Sequence, residues 1–273
     1  MFQTIKISNL LINAKHGVYD TEKQNSQRFI IDCSVLVHRD TFNDELNSTI
    51  NYADCCDLIA NFTLNNSFNL IETLADKLCL AILKKYDLAK EVSVTVKKPD
   101  APLDYKLKYV AVESRRVRQD NVFIALGSNL GDREFAIERA IRYLNGRDDC
   151  KVLARSSLYQ TKPYGNTNQP NFLNAVLELQ TTLSPQELLS ILKQLEVAGG
   201  RQEREKWGAR ELDLDILLYG KLRLNSYSLT NPHPDLTNRS FVLTPFCEIA
   251  SDFIHPIFNK SIAFFASALK NKR

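Results

Sequence analysis

The segment SRRVRQDN, residues 114–121, divides this chain. It is polar and charged, it follows the apolar alternation of YVAVE, and it precedes a fresh apolar run, VFIAL, at 122–126. One strand ending in charge with another beginning at once implies two hydrophobic cores. A length of 273 residues is enough for both. A boundary at 118–121 is expected, giving domains 1–118 and 121–273.

The first domain has two strand signals around two helix signals. FIIDCSVLV, residues 29–37, is β-branched and apolar, as a buried strand is. VSVTVK, residues 92–97, alternates with one covered face, and YVAVESRRV closes the domain as a last strand. Between them, a helix follows Tyr52. A second spans about 70–86, with Leu70, Leu74, Leu78 and Ile82 at i,i+4 spacing. Strands, two helices, then strands predict an α+β domain rather than a βαβ repeat. The second domain alternates: VFIAL, the helix DREFAIERAIRYL, a segment holding RSSLYQT, the strand FLNAVLELQ, the helix SPQELLSILKQLEVA and the strand ELDLDILLYG. A Pro-rich loop and a short helical stretch follow. Ser184, Pro185 and Glu187 read as N-cap, first position and third position of a capped helix.

Bulk properties exclude some functions. Lys and Arg total 35 against 32 Asp and Glu, with no basic block, so nucleic acid is not the expected partner. No run approaches 18 apolar residues, so no membrane span is expected. The six cysteines form no CxxC pair and read as reduced thiols of a cytoplasmic protein.

Lys98 continues the face of Val92, Val94 and Val96, which points its ammonium toward a covered surface. Pro99 lies just beyond, so a lysine snorkelling at a strand end is the competing reading. Glu72 has two readings as well. It could cap a helix through Asn69-x-x-Glu72, or offer a carboxylate to an amino-pyrimidine edge. HGVYDTEKQNSQRF, INYADCCDLI, FNLIETLADKL and VTVKKPDAPL, in that order, resemble the dihydroneopterin aldolase family over residues 1–118. The resemblance implies a tunnelling fold, an antiparallel sheet with two helices on one face, assembled as a homo-oligomer with sites between subunits. It implies that Glu22, Tyr52, Ile71 and Glu72 hold the pterin substrate and that Lys98, assisted by Tyr52, transfers protons. The reaction would be retro-aldol cleavage of dihydroneopterin to 6-hydroxymethyl-dihydropterin and glycolaldehyde. It needs no metal and no other cofactor, because the ring C=N accepts the electrons. An epimerase or a non-catalytic assembly module is the alternative for this half.

In LDLDI, period two sets Asp213 and Asp215 on one face and Leu212, Leu214 and Ile216 on the other. Such carboxylates, about 6.6–6.8 Å apart along a strand, are spaced to share hard cations that bridge phosphates. Two solvated acids on an edge strand would have the same pattern. The preceding GGRQEREKWGARE adds Arg201, Arg204, Lys206 and Arg210, which suit a polyphosphate. ALGSNLGDR, SSLYQTKPYG, QPNFLNAVLEL, WGARELDLDILLYG and NPHPDLTNRSF, in order, resemble the 6-hydroxymethyl-7,8-dihydropterin pyrophosphokinase family over residues 121–273. The resemblance implies a ferredoxin-like α/β sandwich that transfers pyrophosphate from ATP to the pterin and releases AMP. It implies two Mg²⁺ on Asp213 and Asp215, and a pterin pocket from Thr161, Tyr164, Phe172, Asn174 and Phe241. Glu196, Arg201, Trp207, Arg210, Ile216, Thr230, His233 and Arg239 fall at ATP-side positions, with Arg201 and Arg210 also counted as catalytic.

Overall fold

In the computed structural model, which describes residues 1–39, 44–163, 168–201 and 208–271, the valine run becomes an interior strand of an antiparallel sheet. β1 (Phe2–Ala14), β2 (Gln27–His38), β3 (Ala89–Lys98) and β4 (Val110–Val117) lie in that order across it. Phe29, Ile31, Cys33, Val35 and Val37 are buried on the same face as Val92, Val94 and Val96. Cys33 stands opposite Val94 and Val35 opposite Val92, so these side chains meet across the ladder. The reverse face is polar: Lys97 pairs with Asp32, and Arg115 holds Glu91 with two nitrogens. This sheet therefore needs cover on one side only.

α2 (Tyr52–Asn65) and α3 (Ile71–Lys85) provide that cover, burying Ile59, Leu74, Leu78 and Ile82 against the valines. Each such burial contributes about 1.5–3 kcal/mol. A short helix, α1 (Asp20–Gln24), precedes β2. α3 starts one residue later than the Asn69 cap would require. Its N-cap is Leu70, with no side-chain hydrogen bond. Glu72 therefore sits at the second helical position, exposed, and the Asn69–Glu72 capping arrangement does not form.

The second sheet is built from β5 (Gln119–Ser128), α4 (Arg133–Asn145), β6 (Cys150–Arg155), β7 (Tyr159–Thr161), β8 (Phe172–Thr181), α5 (Pro185–Ala198) and β9 (Asp213–Tyr219). The order across it is β6-β8-β5-β9, with β7 continuing along β8 where β6 stops, and every pair is antiparallel. This is the β-α-β-β-α-β arrangement of ferredoxin-like folds. Ser184 caps α5 as expected: its backbone N–H donates to Glu187 at 2.7 Å and its hydroxyl accepts from the Glu187 N–H at 3.3 Å. After β9 come the short pair β10 (Leu224–Asn225) and β11 (Thr230–Asn231), then α6 (Ser240–Ala250) and α7 (Ile262–Lys270).

Leu126, Leu177, Leu214 and Ile216 pack with Ile137, Leu188 and Leu192 of α4 and α5. Phe123, Val176, Leu217 and Leu218 pack with Val242, Leu243 and Phe246 of α6 on the other face. β9 changes phase partway along. Ile124 pairs with Ile216 but Phe123 pairs with Leu218, so Leu217 is an extra residue. The strand thus shows Asp213 and Asp215, then Leu217 and Leu218, to the α6 side. Contacts cluster into two units, Met1–Arg118 and Gln119–Arg273. Only Arg118 separates β4 from β5.

Candidate functional sites

In the first unit, strand alternation separates the two adjacent lysines. Lys97 is on the polar face with Asp32, whereas Lys98 is 8% exposed and ion-pairs with Glu22, itself buried. Glu22 also accepts from the Tyr19 N–H at 3.1 Å. Burial works against this carboxylate, but the Lys98 ammonium and the Tyr19 N–H outweigh it and hold the Glu22 pKa below its ordinary value. Gly17 makes the pair possible. Its φ is +153°, and a Cβ there would fall 2.3 Å from the Glu22 carboxyl carbon.

The Gly17 N–H donates to Phe68 O at 2.9 Å, which brings the loop before α3 to this turn. His16 seals the same corner. Its ring stacks on Phe68 at 5.8 Å, Nδ1 accepts from the Phe68 N–H at 3.1 Å, and Nε2 lies 3.0 Å from Thr63 O, to which it donates in the neutral tautomer. Burial lowers the His16 pKa from its ordinary 6.5, aided by Lys98 and opposed by the Thr63 carbonyl. The unfolded chain then binds the proton more readily than the folded one. His16 therefore contributes stability that is full above about pH 6.5 and declines as pH falls toward the lower folded value. Melting temperatures measured from pH 7.5 to 5 are expected to fall below that point, with a shallower decline in His16→Gln.

Ile71, buried at the start of α3, and Glu72 follow the Phe68 loop closely. Tyr52 does not join them. Lys85 at the far end of α3 donates to Asp54 O at 3.3 Å, so the start of α2 lies most of the length of α3 away from Glu72, roughly 20 Å. Tyr52 is 69% exposed there. A single chain thus brings together Glu22, Lys98 and the start of α3, but not Tyr52.

In the second unit, a cavity of about 240 Å³ opens on the α6 face at the end of the sheet. Its floor is the strand surface. Gly127 of β5 lies between Asn174 of β8 and Asp213 of β9. A Cβ at Gly127 would come within 3.3 Å of Asn174 Oδ1, so the glycine keeps the floor open. Phe172, Thr161 and Lys162 wall one side, and Phe241 and Val242 of α6 face them. Asn174 Nδ2 donates to Thr161 Oγ1 at 2.7 Å. Two ring faces with a buried amide between them suit a flat heterocycle with hydrogen-bonding edges.

At the other side stand Asp213, Asp215, Arg210 and Arg239. Asp213 Oδ1 accepts from Arg210 at 2.5 Å and from Arg201 at 2.9 Å. Arg239 lies 3.9 Å from Asp215 and donates to Asp235 at 2.9 Å. The carboxylates thus have arginine counter-charges that anionic oxygens could draw away. As donors the two acids fit Mg²⁺, which takes one or two carboxylates together with substrate phosphates rather than a full protein cage.

Five expected residues are not on the cavity wall, among them Arg201, which reaches the site through Asp213. Period two buries the Ile216 side chain on the α4–α5 side. Glu196 is 2% exposed, and its carboxylate accepts from Leu214 N at 2.8 Å, Lys193 at 2.9 Å and Arg201 at 2.5 Å. It satisfies the outward N–H of an edge strand and braces Arg201. Thr230 bonds to Asn225 at 3.2 Å. Burial pushes the His233 imidazole below its usual pKa, against the pull of Asp215. Tyr164 and Trp207 lie outside the described residues. The residue the sequence reading missed is Asn129, 2% exposed. Its Oδ1 accepts from Arg210 N at 2.7 Å, and its Nδ2 donates to Gln169 and Pro170 O, each at 3.1 Å. One amide so joins the segments on both sides of the cavity. The only signal for it was a polar residue among the small ones of ALGSNLGD.

Comparison with known proteins agrees with this division. The family model described as 7,8-dihydro-6-hydroxymethylpterin-pyrophosphokinase matches residues 123–251, and that described as dihydroneopterin aldolase matches 5–115. The Aquifex aeolicus 2-amino-4-hydroxy-6-hydroxymethyldihydropteridine pyrophosphokinase is 44% identical over 53% of this chain and 89% of its own length. The Pneumocystis carinii folic acid synthesis protein fol1 is 32% identical over 95% of this chain, which spans 37% of that longer protein. An E. coli dihydroneopterin aldolase solved with neopterin aligns at 21% identity and a TM-score of 0.37, over 42% of this chain and 98% of its own. The chain belongs to the pyrophosphokinase family through its second unit, and its first unit is a dihydroneopterin aldolase domain.

Proposed function

We propose that the two units catalyse consecutive steps of folate biosynthesis, the second consuming the pterin product of the first. The observation that carries the kinase reading is Asp213 and Asp215 beside Arg210 and Arg239 in the cavity that also holds Phe172, Asn174 and Phe241. The pterin ring lies between Phe172 and Phe241, with Asn174 and Thr161 at its polar edge. Asp213 and Asp215 would hold the two Mg²⁺ that accompany ATP, and those ions would supply charge neutralisation at the transferring phosphates. Arg201, Arg210 and Arg239 exchange carboxylate partners for phosphate oxygens. The hydroxymethyl oxygen of 6-hydroxymethyl-7,8-dihydropterin bonds to the β-phosphorus, the bond to the α-phosphate oxygen breaks, and AMP leaves with that oxygen. Positioning by the two walls supplies much of the acceleration. Thr230 and His233 would meet the nucleotide beyond the cavity.

In the first unit, Lys98 transfers protons and Glu22 holds both its ammonium and a substrate hydroxyl. Glu72 and the backbone at Ile71 anchor the pterin edge. Tyr52, about 20 Å from Glu72 by helix length, reaches the site from a second copy, which makes the active form a homo-oligomer. No helix among the described residues is long and apolar enough to cross a membrane. A cytoplasmic setting fits the six free thiols. The test is to supply the purified chain with 7,8-dihydroneopterin, then ATP and Mg²⁺. Glycolaldehyde should appear first, and AMP only after ATP is added. Absence of either product refutes that half.

A further inference from the structure

The cavity's pterin wall is held from outside the cavity. β6 and β7 lie along the same edge of β8, separated by Ser156, Ser157 and Leu158. Ser156 fixes the break to the sheet: its N–H donates to Val176 O at 2.9 Å and its Oγ accepts from Val176 N at 3.0 Å. Beyond the break only three residues of β7 remain, Tyr159 opposite Asn174 and Thr161 opposite Phe172. A strand this short is weakly held by its own ladder. Yet it sets Thr161 against Asn174, and Phe172, Asn174 and Thr161 form the wall.

Glu248 of α6 supplies the missing hold. Its Oε1 accepts from Ser157 N at 3.0 Å and from Ser157 Oγ at 2.8 Å, and its Oε2 accepts from Ser157 N at 3.0 Å and from Tyr159 Oη at 2.9 Å. The hydrogen bonds of Ser157 and Tyr159 lower the Glu248 pKa, the Ser157 hydroxyl most, so the carboxylate is the charged, acceptor-only partner that three donors require. Phe241 and Glu248 stand at i and i+7, on one side of the helix. The same face of α6 thus places the ring that closes the cavity and grips the strand that forms the opposite wall.

We propose that Glu248 is a positioning residue for the pterin, fixing through Ser157 and Tyr159 the distance between Phe241 and the Phe172–Asn174–Thr161 wall. This rests on the kinase reading above. The experiment measures KM for 6-hydroxymethyl-7,8-dihydropterin and for ATP, with kcat, in full-length Glu248→Gln, Glu248→Ala, Tyr159→Phe and the double variant Glu248→Ala/Tyr159→Phe. Hydrogen bonds to a charged partner predict a rise in pterin KM of roughly tenfold for Glu248→Ala and a smaller rise for Glu248→Gln. The ATP KM should stay within about twofold of the parent. Tyr159→Phe should raise the pterin KM alone and add nothing once Glu248 is gone, because the two act as one unit. Both KM values rising together, a pterin KM unmoved while the melting temperature drops, or additive effects of the two substitutions would each overturn the proposal. Glu248→Gln keeps the size and one acceptor oxygen, so it serves if the alanine variant does not fold. Phe172→Ala separates the two readings. If it too leaves the pterin KM unchanged, the pocket assignment is wrong. If it raises that KM and the Glu248 variants do not, only the positioning role fails.

Discussion

Replacing Asp213 with Ala is expected to lower pyrophosphoryl transfer by roughly 10³-fold or more, because a metal's charge stabilisation is worth several kcal/mol. The structure adds a second cost. Asp213 is the shared acceptor of Arg201 and Arg210, and without it Arg210 loses its carboxylate partner while Arg201 keeps only Glu196. Asp213→Asn should keep the shape but lose the charge, and so recover little activity. Asp215→Asn is expected to raise the Mg²⁺ concentration needed for half-maximal rate. AMP release under saturating ATP gives the rate, and glycolaldehyde formed by the same protein is the internal control. An Asp213→Ala rate within tenfold of the parent would remove these acids from the reaction.

The second large effect is expected at Lys98. Loss of a proton-transferring side chain costs about 10²–10⁴-fold, so Lys98→Ala should nearly abolish glycolaldehyde formation. The neighbouring lysine is a stringent control. Lys97 is on the opposite face with Asp32, and Lys97→Ala should stay within a few-fold of the parent. Equal losses at both positions would mean that substitution damages the strand rather than the chemistry. Glu22→Gln should fall between them, since a neutral amide can still accept a hydrogen bond but no longer pairs with the ammonium.

Much of this was legible where a period of two or a local cap governed the chain. The valines of β3 put Lys98 in phase with the covered side but left a lysine snorkelling at the strand end as the competing reading, and the alternation in β9 separated Asp213 and Asp215 from Leu214 and Ile216. Ser184, Pro185 and Glu187 announced α5 from local chemistry alone. β1 was not legible. Asn9, at φ 57°, carries a register shift between Ile7 and Leu10 that breaks the alternation. α6 was obscured by Pro245 within it. The Asn69 cap failed because Asn and Glu at i,i+3 fit more than one helix start. Asn129 and Glu196 act across tertiary distances, toward Gln169 and Leu214. Nothing in their neighbourhoods specifies those partners.

The extra residue in β9 has a consequence for how this enzyme can vary. Substitutions along the strand can be graded, but a change in length away from the bulge cannot. Removing Leu217 leaves every other side chain on its face, because Ile216 and Leu218 already oppose the consecutive residues Ile124 and Phe123. Removing or inserting a residue elsewhere in the strand turns over one half of it. Either the carboxylates rotate into the leucine layer under α4 and α5 and leucines face the cavity, or Leu218 and Tyr219 exchange sides and the support under α6 is lost. Aligned relatives should therefore differ in residue type along β9 and in length only at the bulge, and engineered loops should be placed before Asp213 or after Tyr219.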